Sequence, residues 1–246
     1  MREHEQYQGE SHILFQNDDF LVINKRCGET VNLQLLGKQT DALGSLHALP
    51  VHRLDTPVSG CLLLAKTPQA AAFLSAAFAR HDEIVKKCYW AIVEMPPEGS
   101  NVLPPEGELV HWLYENRKAN KSFAIPAVSQ TGKDDPPPPN RGIRPKKAVS
   151  RYRLAGKGER YLFLEIDLIT GRHHQIRSQL AALGLRVKGD LKYGARRSEK
   201  AGGIRLHAYS LAFPNPLNPS EIITVKALPP EMDPLWTAFS ENGYNT

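Results

Sequence analysis

The sequence predicts an α+β fold in a single domain, with many strands and few helices. Three observations carry that reading. A chain of 246 residues can bury one sizeable core or two small ones. Short apolar or alternating runs outnumber helical stripes along the whole chain. The most irregular stretch, 129–147, holds Pro136-Pro137-Pro138-Pro139, which forces extended backbone and cannot enter a sheet interior. Strand patterns resume on both sides of it, so it reads as a long surface loop. Residues 1–12 are then a loose polar tail and 13–246 the domain.

The elements follow in order. Ile13-Leu14-Phe15 and Phe20-Leu21-Val22-Ile23 flank Asn17-Asp18-Asp19, predicting two strands and a turn. Asn24 to Leu49 is weakly patterned. Cys61-Leu62-Leu63-Leu64-Ala65 is a buried strand. Thr67-Pro68 starts a helix, with Thr as cap and Pro at the first position; Ala71, Phe73, Leu74, Ala77 and Phe78 make its apolar stripe, ending near His81. Ile84 to Glu94 alternates as a strand that sets Lys87 and Tyr89 on one face.

Glu108 to Tyr114 and Lys121 to Ile125 pair across Glu115–Asn120. Ala148 to Ala155 and Arg160 to Ile169 form a hairpin turning at Gly156-Lys157-Gly158. Thr170 caps a helix reaching Leu183, stopped by Gly184, with Ile176, Leu180 and Leu183 packed inward and His173 and Arg177 together on an adjacent face. A glycine-bounded loop (186–194), strands over 206–213 and 222–227, and a helix over 234–239 complete the chain.

Composition narrows the class. With 41% apolar and 23% charged residues, the chain reads as an ordinary soluble globular protein. No apolar run approaches the ~20 residues of a membrane span, and the first residues lack a secretory layout. Cys27, Cys61 and Cys88 are odd in number and far apart, which implies neither a disulfide framework nor a zinc site and fits a reducing cytoplasm. Charge is uneven: residues 141–205 hold 17 Lys or Arg against 5 Asp or Glu, a net +12, while the rest carries −7. Such a block suits a polyanion-binding face, the alternative being a solvated charged surface.

The chemistry-bearing stretch is His52-Arg53-Leu54-Asp55-Thr56-Pro57-Val58-Ser59-Gly60. A carboxylate on a tight loop at the mouth of a buried strand is held rigidly yet can meet a ligand. The plainer alternative is a local Arg53–Asp55 ion pair. His52, His173, His174 and His207 offer no ligand spacing with a carboxylate, so no metal is expected.

Taken together, His52-Arg53-Leu54-Asp55 with Ser59-Gly60 resembles the signature of the RluA-type RNA pseudouridine synthases. Lys87-Cys88-Tyr89 is similar to their second motif and Leu168-Ile169-Thr170-Gly171-Arg172-His173-His174-Gln175-Ile176-Arg177 to their third. Gly189-Asp190 with Tyr193-Gly194, and Leu206-His207-Ala208, stand where the family has similar blocks. The resemblance implies a pseudouridine-synthase-like domain: a large mixed, mostly antiparallel sheet with flanking helices and loops around a central cleft. It implies an isomerase that detaches uracil at N1 within RNA, turns it and rejoins it through C5. Asp55 is then the catalytic carboxylate, Arg177 its ionic partner and Tyr89 the active-site tyrosine. Arg53 helps hold the target base out of its stack, and His52, Lys87 and Arg172 contact substrate, the last two at phosphate.

No cofactor and no membrane are implied. The partner is RNA, and the chain is expected to act as a monomer. Val58 and His173 stand where relatives commonly have Thr. The short lead into the first strand leaves no separate N-terminal RNA-binding domain, which favours tRNA over ribosomal RNA. The alternative is a non-catalytic RNA-binding or RNA-folding protein on the same scaffold, against which the presence of Asp55, Tyr89 and Arg177 together argues; a hydrolytic or RNA-cleaving enzyme would need a second carboxylate or a histidine pair placed for acid–base work, and none stands out.

Overall fold

The computed structural model describes residues 12–30, 48–80, 84–97, 103–127, 142–200, 202–229 and 232–243. The tail expected at 1–12, apart from its last residue, and most of the loop expected at 129–147 lie outside these. In the described part of that loop, strand already begins at Lys146.

Strands β1 (His12–Gln16) and β2 (Phe20–Lys25) are joined by a turn in which the Asn17 side-chain oxygen accepts the Asp19 and Phe20 amides. The weakly patterned stretch ends in a short β3 (Leu49–Pro50). Then come β4 (Ser59–Ala65), helix α1 (Pro68–Arg80), β5 (Lys86–Glu94), the hairpin β6 (Glu106–Asn116) and β7 (Lys121–Pro126), and the hairpin β8 (Lys146–Lys157) and β9 (Tyr161–Leu168). Helix α2 (Gln175–Ala182), a 3-10 turn (Leu191–Tyr193), β10 (Leu206–Asn215), β11 (Asn218–Lys226) and helix α3 (Pro234–Gly243) complete the described chain.

Among the described residues eleven strands form one sheet in the order β1-β2-β4-β10-β5-β9-β8-β6-β7, with β11 on β10 and β3 on β4. Every named pair is antiparallel except β4 with β10, which run parallel at Ser59–His207 and Gly60–Ala208. Alternation sorts the core. Leu21, Ile23, Leu62, Leu64, Tyr89, Ala91 and Val93 share one face with Ile176 and Leu180 of α2. Phe20, Val22, Cys61 and Leu63 face α1 on the other side, and Trp90, Ile92 and Phe163 face Trp236 and Phe239 of α3. The central strands β2 and β4 are buried along both faces, which is why they read as continuous apolar runs.

The structure corrects several expectations. The strand expected from Ile84 begins at Lys86. β8 runs through the expected turn to Lys157 by way of a bulge between Leu154 and Gly156, and the chain reverses at Gly158, whose amide meets the Tyr161 carbonyl at 2.9 Å. The helix expected from Thr170 starts at Gln175. The Gln175 side-chain oxygen accepts from the Thr170 hydroxyl (2.7 Å) and the Arg172 amide (3.0 Å), and these bonds replace a helical first turn. His173 therefore lies outside the helix, and its ring stacks on that of His174 at 3.8 Å. Leu183 is the C-cap and 38% exposed, so only Ile176 and Leu180 of the expected stripe pack inward.

Candidate active site

The loop from His52 to Val58 is fixed at two points four residues apart. Leu54 and Val58 are buried in the core, and the Val58 amide closes a turn onto the Asp55 carbonyl at 2.9 Å. Behind it, Gly60 has φ +116°, and a Cβ there would lie 2.3 Å from the Ala208 carbonyl oxygen. Only glycine lets β4 and β10 meet this closely, and that approach sets Asp55 at the end of the parallel pair. Ser59 and the fully buried His207 fasten the junction: Oγ lies 2.8 Å from Nδ1, and Nε2 lies 2.9 Å from the Ala227 carbonyl oxygen.

Asp55 opens into a cleft lined by Arg53, Tyr89, Glu115, Arg172, His173, His174 and Arg177, with Leu54, Val58, Leu168, Ile176 and Leu206 as its apolar walls. Arg177 Nη1 donates to Asp55 Oδ2 at 3.0 Å. The rest of the guanidinium is gripped by Asp190, with Nε on Oδ2 at 2.7 Å and Nη2 on Oδ1 at 2.8 Å. Burial works against the Arg177 charge, but Asp190 and then Asp55 outweigh it and hold its pKa above the ordinary value. His174 Nε2 faces the same Asp55 Oδ2 at 3.6 Å. Asp55 Oδ1 has no hydrogen-bond partner among the described residues.

The other expected site residues divide. Tyr89, on β5, is buried at the cleft wall, and its hydroxyl has no partner among the described residues. Burial, and then the Asp55 charge, push its pKa up, so the phenol keeps its proton. Arg53 is exposed on the cleft rim and makes no ion pair with Asp55. Lys87 lies one strand repeat from Tyr89 on the same face, with Nζ 3.7 Å from where a Cβ on Gly171 would stand. Burial and then Arg172 lower its pKa to about 8. Arg172 lines the cleft and donates Nε to the Lys147 carbonyl at 3.2 Å.

His52 is not brought to the cleft. Its Nε2 accepts the Leu63 amide at 3.0 Å, and its ring stacks on Phe78 at 4.7 Å. Burial, and then Lys87, push its pKa down to about 3, so it is a neutral acceptor that fastens the loop to β4.

Sequence reasoning assigned no role to Asp190, Tyr193 or Ser122. Asp190 is the bidentate partner of Arg177. The Tyr193 hydroxyl lies 2.9 Å from the Ser122 amide nitrogen and 3.1 Å from both the Ser122 carbonyl oxygen and His174 Nδ1. For Asp190 and Tyr193 the signal was the pair of blocks Gly189-Asp190 and Tyr193-Gly194, which carry position but no chemistry on their own, and for Ser122 there was none. Among the described residues no group of three His, Cys, Asp or Glu side chains could hold a metal ion, and no helix is long and apolar enough to cross a membrane.

Residues 19–182 match the family described as RNA pseudouridylate synthase. The chain is 31% identical to tRNA pseudouridine synthase C of Haemophilus ducreyi, over 95% of this chain and 96% of that one. It is 28% identical to ribosomal large subunit pseudouridine synthase D of Zymomonas mobilis, over 91% and 71%. The solved structure of human RNA pseudouridylate synthase domain containing 4 superposes with a TM-score of 0.69 at 23% identity, covering 94% of this chain and 92% of that one, which shows the shared fold. With the family's motifs in order on one cleft and a family match over two thirds of its length, the chain belongs to the RluA-type RNA pseudouridine synthases, isomerases that act on RNA.

Proposed function

We propose that this isomerase converts a uridine of tRNA to pseudouridine in the cleft around Asp55. One observation carries the site: Asp55 Oδ2 is held by Arg177, while Oδ1 is left without a partner among the described residues. Cleaving the C1′–N1 bond develops positive charge on the ribose, and a carboxylate with one open oxygen stabilises or captures it. The base then turns, the C1′–C5 bond forms, the C5 proton is released and N1 takes up a proton, so that product and substrate are isomers. The apolar wall of Leu54, Val58, Leu168, Ile176 and Leu206 supports this reading, because water in the cleft would capture the ribose at C1′ and leave the base detached.

Tyr89, its phenol protonated, is the base-facing wall and a hydrogen-bond donor. Arg53 at the rim takes the place vacated by the extruded nucleotide. Lys87 and Arg172 receive phosphate, because neither has a carboxylate partner among the described residues. The tRNA assignment leans on similarity to synthase C along 96% of that protein, against 71% of synthase D. The enzyme acts as a cytoplasmic monomer without a cofactor, over a domain that spans 13–246.

The test is tritium release from RNA labelled at uracil C5, with wild type and Asp55→Asn side by side on tRNA and ribosomal RNA transcripts. Release from tRNA by wild type alone, with RNA still bound by the variant, is the expected result. Release by Asp55→Asn removes the carboxylate assignment, and release from ribosomal RNA alone removes the tRNA assignment.

A further inference from the structure

His174 is held more tightly than any role given to it so far requires. Its backbone lies at φ 51° and ψ 30°, in the left-handed region that residues with a Cβ adopt at a cost. Among the described non-glycine residues only Asn120 shares that sign of φ. The conformation carries the imidazole into the cleft wall. There Nε2 faces Asp55 Oδ2 at 3.6 Å, Nδ1 lies 3.1 Å from the Tyr193 hydroxyl, and His173 covers the ring. Burial first, with Arg177 and His173 adding to it against Asp55, lowers the pKa to about 3, so the ring is neutral and carries one proton.

The place of that proton follows from its neighbours. The Tyr193 oxygen accepts the Ser122 amide, and its own proton can go to the Ser122 carbonyl or to His174 Nδ1. With the imidazole proton on Nδ1, the Nε2 lone pair would be buried against a carboxylate oxygen. With it on Nε2, an N–H points at that oxygen and Nδ1 takes the tyrosine proton. At 3.6 Å the contact with Asp55 is electrostatic and longer than a hydrogen bond, yet a buried anion favours a facing N–H over a facing lone pair, so the carboxylate outweighs the carbonyl in this choice. The hydrogen bonds then run one way, from the Ser122 amide through Tyr193 to His174, whose Nε2–H faces Asp55 across 3.6 Å.

We propose that His174 is a positioning residue for the isomerisation: fixed as the Nε2–H tautomer by the Tyr193 hydroxyl, it joins Arg177 in holding Asp55 Oδ2 and so leaves Oδ1 as the reacting oxygen. The inference rests on Asp55 being the reacting carboxylate. It also gives β7 a part in the chemistry, since the first donor of the chain is the backbone of Ser122 in the hairpin that walls the cleft.

Long-range proton–nitrogen correlation spectra of the wild-type protein near neutral pH report the tautomer of each histidine, and His174→Gly identifies the signal. The expected result is Nε2–H at His174. Tyr193→Phe then leaves the tautomer to Asp55 alone, takes the partner from Nδ1 so that the ring can turn, and lowers kcat about tenfold, the effect of one lost hydrogen bond, with little change in KM. His174→Gly suits the left-handed backbone and lowers kcat to a similar extent while the melting temperature holds. A merely structural histidine would give the opposite pair, a lower melting temperature and an unchanged kcat.

An Nδ1–H ring in the wild type overturns the proposal without any variant having to fold. Unchanged kcat in both variants overturns it as well. If Asp55→Asn is inactive and His174 is Nδ1–H, this inference alone fails. If Asp55→Asn is active, the carboxylate assignment beneath it fails instead.

Discussion

Two buried arginines in this protein sit between two carboxylates, and they do different work. Arg205 donates Nε to Glu199 at 2.8 Å and Nη2 to Asp233, while Lys188 donates to the same Glu199 oxygen. Two cations meet two anions, and the cluster ties the stretch before β10 to the start of α3. Arg177 also holds two carboxylates, Asp190 by both oxygens and Asp55 by one. Here one cation meets two anions, and the spare oxygen opens onto the cleft. The parts are the same. A closed, balanced cluster is a staple, and one left a charge short beside a cavity is a site.

The sharpest way to break this comparison is Asp190→Asn. The change is nearly isosteric, but it takes the charge from the bidentate partner of Arg177 and loosens the arm that reaches Asp55. A displacement of about 1 Å at a reacting group can cost ~100-fold in rate, and that is the expected fall in kcat. Breaking a buried pair also costs about 3 kcal/mol of stability. Single-turnover kinetics beside urea unfolding separate the two effects. A stability loss with unchanged kcat per folded molecule would make Arg177 a second staple.

That Arg177 and Asp190 belong together was not legible from the sequence. They lie thirteen positions apart, Asp190 within a glycine-bounded loop, and nothing in the local pattern says that the loop folds back onto α2. The strands were legible, because Phe20–Ile23 and Cys61–Ala65 are apolar on both faces and tolerate one reading only. Helix α1 was legible for the same kind of local reason: Thr67 Oγ1 does accept the Ala70 amide, at 3.2 Å. The start of α2 was not, because the Gln175 side chain and the left-handed His174 set it through contacts outside any periodicity. Asp55, Tyr89 and Arg177 come from a loop, a strand and a helix, so the likeness to a family grouped them and residue chemistry alone did not. His52 shows the limit of that likeness. It neighbours Arg53 in sequence, yet it is spent on the Leu63 amide.

The staple makes the complementary prediction. Glu199→Gln removes the anion shared by Arg205 and Lys188 and should lower stability by about 3 kcal/mol, with kcat per folded molecule unchanged. For a domain of this size that is a fall in Tm of roughly 10 °C. The acid limb checks the same cluster. Burial pushes the Glu199 carboxyl up, but Arg205 and Lys188 outweigh it and hold it at about 2, below its ordinary 4.5. A depressed carboxyl stabilises the fold above its unfolded pKa and loses that contribution as pH falls toward its folded one. Wild type should therefore lose stability between pH 4.5 and about 2, and Glu199→Gln should lack that part of the decline. An equal decline in both proteins would move the acid sensitivity elsewhere.

The smallest effect tests the other half of the imbalance. The Arg177 cluster has an anion to spare, and beside the cleft Lys87 and Arg172 are cations with no carboxylate among the described residues. If those charges are kept for RNA phosphate, Lys87→Met should raise KM severalfold, leave kcat at saturating RNA nearly unchanged, and make the salt dependence of binding shallower by about one ion. Burial, and then Arg172, hold the Lys87 pKa at about 8, below its ordinary 10.5. The ammonium is present below that pH and lost above it, so wild-type affinity should weaken as pH rises through 8 and the variant should stay flat. Lys25 has a similarly lowered pKa, but its ammonium is enclosed by the Arg26, Glu29 and Thr56 carbonyls. Its deprotonation would act on stability and leave the salt slope alone. An unchanged salt slope in Lys87→Met would mean that Lys87 meets no phosphate, and the charge left over in this cleft would then be that of Asp55 alone.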